Sequence, residues 1–238
     1  MILGIDTSAV VCTAALAENG KVLRRFSVLG KTHSEILLPG ILELLKKEKR
    51  KISDLSAIAF SAGPGSFTGL RIGIATVKGL AVKDRIPCVP LSTLEALAWR
   101  FQKEAENAVL CPVMDARRGE FYQAFFRLKS GSVERLTEDR AVSGEKLTEE
   151  ISGLENVILL GDGAEKYFNA FSPAASLAPE EKRLQDGGAA ALLGEAYYEK
   201  EKYVMCESLT VQYLRLPQAE REWLEKQKEI SEEKGELK

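Results

Sequence analysis

Histidine occurs once in the 238 residues, at His33, and that scarcity excludes more chemistry than any other feature of the composition. A metal site built on two or more histidines is impossible, and Ser-His or Cys-His catalysis would have to run through this one imidazole. The four cysteines, Cys12, Cys88, Cys111 and Cys206, include no close pair. That spacing argues against zinc ribbons and thioredoxin-type redox motifs and for reduced, buried thiols. No apolar run approaches the ~20 residues of a membrane-spanning helix. The opening Met1-Ile-Leu-Gly-Ile-Asp6 has neither the basic start nor the small-residue cleavage site of a signal peptide. The expectation is a soluble cytoplasmic protein with no membrane partner. Neither sign of charge is in excess: 33 Lys and Arg against 35 Asp and Glu leave a net charge of −2. A protein that grips nucleic acid unaided would show a stronger basic footprint. What remains, 45% hydrophobic and 29% charged residues, is ordinary globular material, enough for one large or two small domains.

The opening reads as an antiparallel meander. Ile2 to Ile5 is a short apolar strand ending at Asp6-Thr7-Ser8, Val10 to Ala17 a second, and Lys21 to Val28 a third. Asn19-Gly20 between the last two is a hairpin signal, because both residues tolerate positive φ. A helix follows from Thr32-His33-Ser34-Glu35 to Leu45, closed by the cations Lys46, Lys47, Lys49, Arg50 and Lys51, which suit a helix C-terminus. Pro39 should kink that helix or mark its true start. Ser56 to Ser61 reads as a strand, the Gly63 loop leads into a helix reaching about Lys83, and Ser92 with Glu95 forms a capping box for a third helix. The order βββαβαα is mixed α/β, with crossover helices on one sheet.

A second unit starts near Ala108 and repeats the opening in outline. Val109 to Val113 runs into Asp115, then comes a turn at Arg117-Arg118-Gly119 and a strand from Glu120 to Leu128, with Ser130-Gly131-Ser132 turning the chain again. Asp6 and Asp115 fall at equivalent points of the two units, the pattern expected of a duplication. Residues 186–200 read as a late helix. From Gln218 the chain is dominated by Glu and Lys, a charged helical tail with Trp223 and Leu224 as its apolar anchors. The expected division is a first lobe over 1–105 carrying partner-binding helices, a divergent second lobe over 106–216, and the tail over 217–238.

Several groups are candidates for chemistry or binding. The run Gly63-Pro-Gly-Ser-Phe-Thr-Gly-Leu-Arg-Ile-Gly73 opens a helix, where free backbone N–H groups can cradle phosphate, yet it matches neither a P-loop nor Gly-x-Gly-x-x-Gly. The alternative is a structural turn. The following helix is apolar nearly all round, with a small-residue row of Gly69, Gly73, Thr76 and Gly79. One face covers its own sheet; the other needs a partner, supplied either by a second protein or by another helix of this chain. Asp6 and Asp115 are able to hold a metal through water or orient a nucleotide, or each to bond its own turn. Arg117 and Arg118 suit a phosphate or an acidic partner, or are exposed hairpin charges. His33 reads as a capping or packing residue.

Taken together, Ile2-Leu-Gly-Ile-Asp-Thr-Ser8, His33-Ser-Glu-x-Leu-Leu-Pro39, the Gly63–Gly73 run, Lys78-Gly-Leu-Ala81, Met114-Asp-Ala-Arg-Arg-Gly-Glu120 and Gln212-Tyr-Leu-Arg215 resemble the TsaB (YeaZ) family. The resemblance implies the actin-like ATPase fold, ribonuclease-H-like, with two related lobes, each a mixed sheet with crossover helices. It implies a non-catalytic part in making threonylcarbamoyladenosine beside the tRNA anticodon, as dimerisation partner of the catalytic paralogue TsaD, joined by the ATPase TsaE. ATP and magnesium then belong to the partners and none is assigned to this chain, the isolated chain is either a homodimer or a monomer, and tRNA is met only through the complex. TsaD carries a His-x-x-x-His metal motif; here His33 is followed four residues later by Leu37, so no metal ligand pair is expected. The implied interface draws on Phe67, Leu70, Arg71, Gly73, Ile74, Val77 and Lys78 of the second helix and Ile41 and Leu45 of the first. Asp6, Thr7, Ser8, Gly63, Gly65 and Asp115 would form a vestigial nucleotide loop. Two other readings compete: an active nucleotide-dependent enzyme using Asp6, Asp115 and the Gly63 loop, and a glycoprotease-like peptidase, disfavoured by the missing metal ligands.

Overall fold

The computed structural model describes residues 1–102, 108–129, 131–171 and 175–215. Ser130 and the tail with Trp223 and Leu224 lie outside the described residues.

The first strands form where expected. β1 (Ile2–Asp6), β2 (Val11–Glu18) and β3 (Lys21–Leu29) make a meander, with Asn19 and Gly20 at positive φ in the hairpin. α1 (His33–Lys47) passes straight through Pro39, so Pro39 does not mark its start. The proline sits on the exposed side, where water can satisfy the carbonyl it leaves unpaired, and Gly40 beside it admits the Phe26 ring. β4 (Ala57–Gly63) and α2 (Phe67–Ala81) follow.

In the first lobe one strand escapes the sequence pattern. β5 (Cys88–Ser92) pairs parallel with β4 before α3 (Thr93–Trp99) begins. It is only five residues long and contains Pro90, which reads as a loop. Pro90 is tolerated because β5 is the edge of its sheet, which is extended only by an isolated bridge from Cys88 to Val204. Ser92 caps α3 through Glu95 N–H at 3.1 Å, as its sequence indicates. The Glu95 carboxylate does not complete a capping box; it accepts from Tyr197 Oη at 2.8 Å and Arg135 Nη2 at 3.1 Å.

The second unit contains β6 (Val109–Asp115), β7 (Glu120–Gln123), β8 (Phe126–Lys129), β9 (Ser132–Arg135), β10 (Arg140–Ser143), α4 (Gly144–Ser152), β11 (Val157–Leu160), α5 (Asp162–Phe171), β12 (Ala175–Leu177) and α6 (Glu180–Arg183). The strand expected from Glu120 to Leu128 breaks at Ala124-Phe125, where the backbone of Phe125 turns to bond Thr137 and Leu136. β7 continues into the main sheet and β8 forms a side hairpin with β9.

Strand order shows the duplication directly. The first sheet runs β3-β2-β1-β4-β5 and the second β10-β7-β6-β11-β12, each with two antiparallel strands on one side of the centre and two parallel on the other. Asp6 ends the central strand of one sheet and Asp115 that of the other. The helices then cross over. α3 packs Leu94, Leu97 and Ala98 into the core of the second sheet with Leu110, Met114 and Phe126. α7 (Gly187–Tyr198) returns to the first sheet: a Cβ on Gly4 would lie 2.2 Å from Ala191 N, and one on Gly194 2.2 Å from Ala59 Cβ. α7 and the segment that follows it as far as Gln212 therefore lie against the first lobe. The reason is backbone closeness that only glycine and alanine permit, which hydropathy does not reveal.

α1 and α2 share the other face of the first sheet. Leu37, Ile41, Leu44 and Leu45 of α1 and Val77, Leu80 and Ala81 of α2 join Leu3, Ile5, Leu16, Ile58 and Phe60 in one core.

Candidate functional site

The turn after β1 is closed on itself. Asp6 is buried, its Oδ1 accepting the Ser8 N–H at 2.9 Å and the Ser8 hydroxyl at 2.6 Å, its Oδ2 the Ser61 hydroxyl at 2.5 Å. Burial pushes its carboxyl above the usual range, opposed by the hydrogen bonds from Ser61 and Ser8. Thr7 Oγ1 donates to the Gly69 carbonyl at 2.8 Å, and Ser66 N–H donates to the Ser8 carbonyl at 2.7 Å. A Cβ on Gly65 would stand 2.5 Å from Ser8 O, on Gly69 2.0 Å from Thr7 O, and on Gly73 2.6 Å from Thr7 Oγ1. The glycines of the Gly63–Gly73 run thus seat the start of α2 on the Asp6–Ser8 turn. Gly63, at φ +134, meets a different neighbour: the Gln212 carbonyl, 2.2 Å from where its Cβ would be. Asp6, Thr7, Ser8, Gly63 and Gly65 are brought together, and the Asp6 carboxylate and the Thr7 and Ser8 hydroxyls are bonded within the chain.

Asp115 is held apart from that group. Its Oδ1 accepts the Arg117 N–H at 2.7 Å and its Oδ2 the Lys166 ammonium at 2.9 Å, a bond that raises the lysine above its ordinary range. Arg117, Arg118 and Gly119 form the tight turn in left-handed conformations. Beside them stands Asp162, which the sequence reading missed. It opens α5, and burial, reinforced by the charge of Asp115, pushes its carboxyl up to about 6 against its own and neighbouring backbone N–H bonds. Its signal was an apolar run, Val157 to Leu160, ending in Gly161-Asp162, the strand-then-Asp pattern of Asp6 and Asp115. Leu37, four residues after His33, is buried in the first lobe's core. Among the described residues no group of three or more His, Cys, Asp or Glu side chains is placed to hold a metal.

The residues expected at a partner interface separate into two sets. Leu70, Gly73 and Val77 of α2 and Ile41 and Leu45 of α1 are buried within this chain and contact no solvent-facing surface. They belong to the faces of the two helices that cover the first sheet, and apolar residues at helical spacing do not say which of two apolar faces points inward. Phe67, Arg71, Ile74 and Lys78 reach the surface. Large apolar side chains outside that expected set are also exposed: Leu38 (44%) and Leu42 (47%) of α1 and Val82 (60%) at the end of α2, whose Ala75 and Gly79 are exposed as well.

At the start of α2, Phe67 stacks on Tyr213 with ring centroids 4.8 Å apart, and the Arg71 guanidinium lies 3.8 Å over the Phe67 ring. From Tyr213 the chain crosses to the second lobe, where Arg215 bonds the Ala116 carbonyl at 2.6 Å and pairs with Glu120 at 2.7 Å. This segment spans the gap between the Gly63 loop and the Asp115 turn.

Comparison with known proteins agrees with this geometry. The family model described as TsaD, tRNA N6-adenosine threonylcarbamoyltransferase, matches residues 27–223. The chain is 32% identical over 239 residues to the tRNA threonylcarbamoyladenosine biosynthesis protein TsaB of Bacillus subtilis, covering 95% of this chain and 99% of that protein. It is 35% identical over 152 residues to TsaB of Escherichia coli, a match spanning 63% of this chain and 64% of the relative. The solved structure of YeaZ from Pseudomonas aeruginosa superposes with a TM-score of 0.78 at 28% identity, over 90% of this chain and 99% of that one. The chain shares the fold of that YeaZ structure, and it belongs to the TsaB (YeaZ) family.

Proposed function

We propose that this chain is the non-catalytic dimerisation and scaffold subunit of the tRNA threonylcarbamoyladenosine synthesis complex, docking the catalytic subunit TsaD through the outward faces of α1 and α2 and working with the ATPase TsaE. Its family membership gives it a part in that biosynthesis. The observation that carries the finer reading is a contrast between two surfaces. In the turn where the first sheet meets the inter-lobe gap, the carboxylate of Asp6 and the hydroxyls of Thr7, Ser8 and Ser61 are bonded within the chain. On the outer helices, Leu38, Leu42 and Val82 face solvent with no cover among the described residues. Exposed apolar surface of that kind marks a docking site.

The interface accordingly comprises Phe67, Arg71, Ile74 and Lys78 together with Leu38, Leu42, Ala75 and Val82. With TsaD absent, the same face supports a homodimer. Nucleotide and magnesium belong to the partner subunits, and tRNA is bound by the assembled complex. Reconstitution tests this reading. Modified adenosine formed by TsaD, TsaE, tRNA and threonylcarbamoyl-AMP should fall to background without this chain; equal yield without it would end the scaffold proposal.

A further inference from the structure

We propose that Arg71 is a preformed anchor for a carboxylate of the partner subunit, and that Phe67 and Tyr213 are the positioning residues that hold it ready. The inference rests on the reading of α1 and α2 as the docking surface and adds to it the chemistry of one contact. It also gives a role to the Gln212–Arg215 segment.

An exposed arginine normally samples many rotamers, and ordering it on binding consumes part of the interaction energy. Arg71 is exposed yet held by two contacts of its guanidinium, one on its flat face and one at Nε. The flat face lies 3.8 Å from the centre of the Phe67 ring, and Nε donates to Tyr213 Oη at 3.2 Å. Phe67 is itself braced by the Tyr213 ring at 4.8 Å. Tyr213 cannot swing away, because its neighbours are tied to opposite lobes: Gln212 N–H bonds Ala62 O at 2.8 Å, and Arg215 holds Ala116 O and Glu120. The terminal Nη groups of Arg71 have no acceptor and no ion pair among the described residues, so the fork is presented outward.

A planar fork with two free N–H groups matches a carboxylate or a phosphate equally well. The surroundings decide between them. Thr68, Ala75, Tyr213 and Leu214, all exposed, lie on the same helix or strap, and Lys78 is the next cation along α2. An arginine flanked by neutral and apolar residues, with the next cation of its helix about two turns away, has the composition of a protein–protein anchor. A polyanion such as RNA would instead be met by several cations in a row.

The test is calorimetric titration of the full chain with TsaD. Arg71→Ala should weaken the affinity about 10–100-fold. Arg71→Lys should recover little, since the fork and the stack are both lost. Tyr213→Phe keeps the ring but removes the hydrogen bond, and should weaken binding roughly 3–10-fold by freeing the guanidinium. Val82→Glu serves as the control for the surface itself. If Val82→Glu weakens binding and Arg71→Ala does not, the anchor is wrong and the docking surface stands. If neither changes the affinity, the docking surface falls and the anchor with it. Unchanged affinity for TsaD together with weaker tRNA binding by the assembled Arg71→Ala complex would overturn the proposal in favour of a phosphate ligand.

Discussion

The hydroxyl of Thr7 donates to the carbonyl of Gly69, 62 residues further along the chain, at 2.8 Å. This one bond joins the turn after the central strand to the first turn of α2, and it requires that no side chain stand on Gly69 or Gly73. The glycine-rich run, which resembles a phosphate loop in composition, is in this chain a packing device.

Glycine substitutions along α2 should therefore have opposite signs. Gly69→Ala places a Cβ 2.0 Å from Thr7 O, a backbone atom that cannot move aside, and is expected to cost more than about 2 kcal/mol. Gly79→Ala meets nothing within 4 Å and should gain about 0.5–1 kcal/mol from helix propensity. Urea unfolding of the two variants checks the pair; equal effects would mean that the close seating of α2 is not required.

How much of this was legible in the sequence depends on the range of the interaction. Local signals sufficed for β1 to β4, α1 and α2, for the Asn19-Gly20 hairpin and for the Ser92 cap, because each is set by periodicity or by a residue's own backbone preference. β5 was hidden by Pro90, which only an edge position excuses. The return of α7 to the first lobe was hidden because its signal is the absence of side chains at Gly4, Gly187 and Gly194. The same limit explains the interface. Leu70, Val77, Ile41 and Leu45 are apolar at helical spacing and face the core, whereas Leu38, Leu42 and Val82 are apolar and face out. A helix apolar on two sides does not declare which side is its own.

The two lobes are joined by a polar network around Arg135. Its guanidinium bonds Asp139 at 2.6 Å and Glu95 of α3 at 3.1 Å, and Glu95 in turn accepts from Tyr197 of α7. Removing the arginine leaves two half-buried carboxylates facing each other without a cation. Arg135→Ala is expected to lose about 2–4 kcal/mol, and Glu95→Gln about half of that. Denaturation midpoints of both variants test the order; a larger loss for Glu95→Gln would contradict the role of Arg135 as the shared partner.

Asp162 should make stability depend on pH in an unusual direction. Its folded carboxyl titrates at about 6, above the ordinary 3.8, so the folded chain holds the proton more tightly than the unfolded one. The contribution is then fully present below about pH 4 and is lost as pH rises toward 6. Asp162→Asn removes the ionisation while keeping an acceptor oxygen. The variant should be more stable than the parent at pH 7 by about 1–3 kcal/mol and show little difference at pH 4. A stability difference that is constant across that range would contradict the assignment.

The central claim is that the outer faces of α1 and α2 dock the catalytic subunit while their inner faces hold the fold. It is tested most directly by the affinity of TsaD for Leu38→Glu, Leu42→Glu and Val82→Glu, measured beside the thermal stability of each variant, with Leu70→Glu as the inward comparison. The account predicts that the three outward variants keep their melting temperatures within a few degrees and lose at least about tenfold in affinity, while Leu70→Glu, buried at 1% exposure, fails to fold stably. Outward variants that fold normally and bind TsaD as tightly as the parent chain would contradict it.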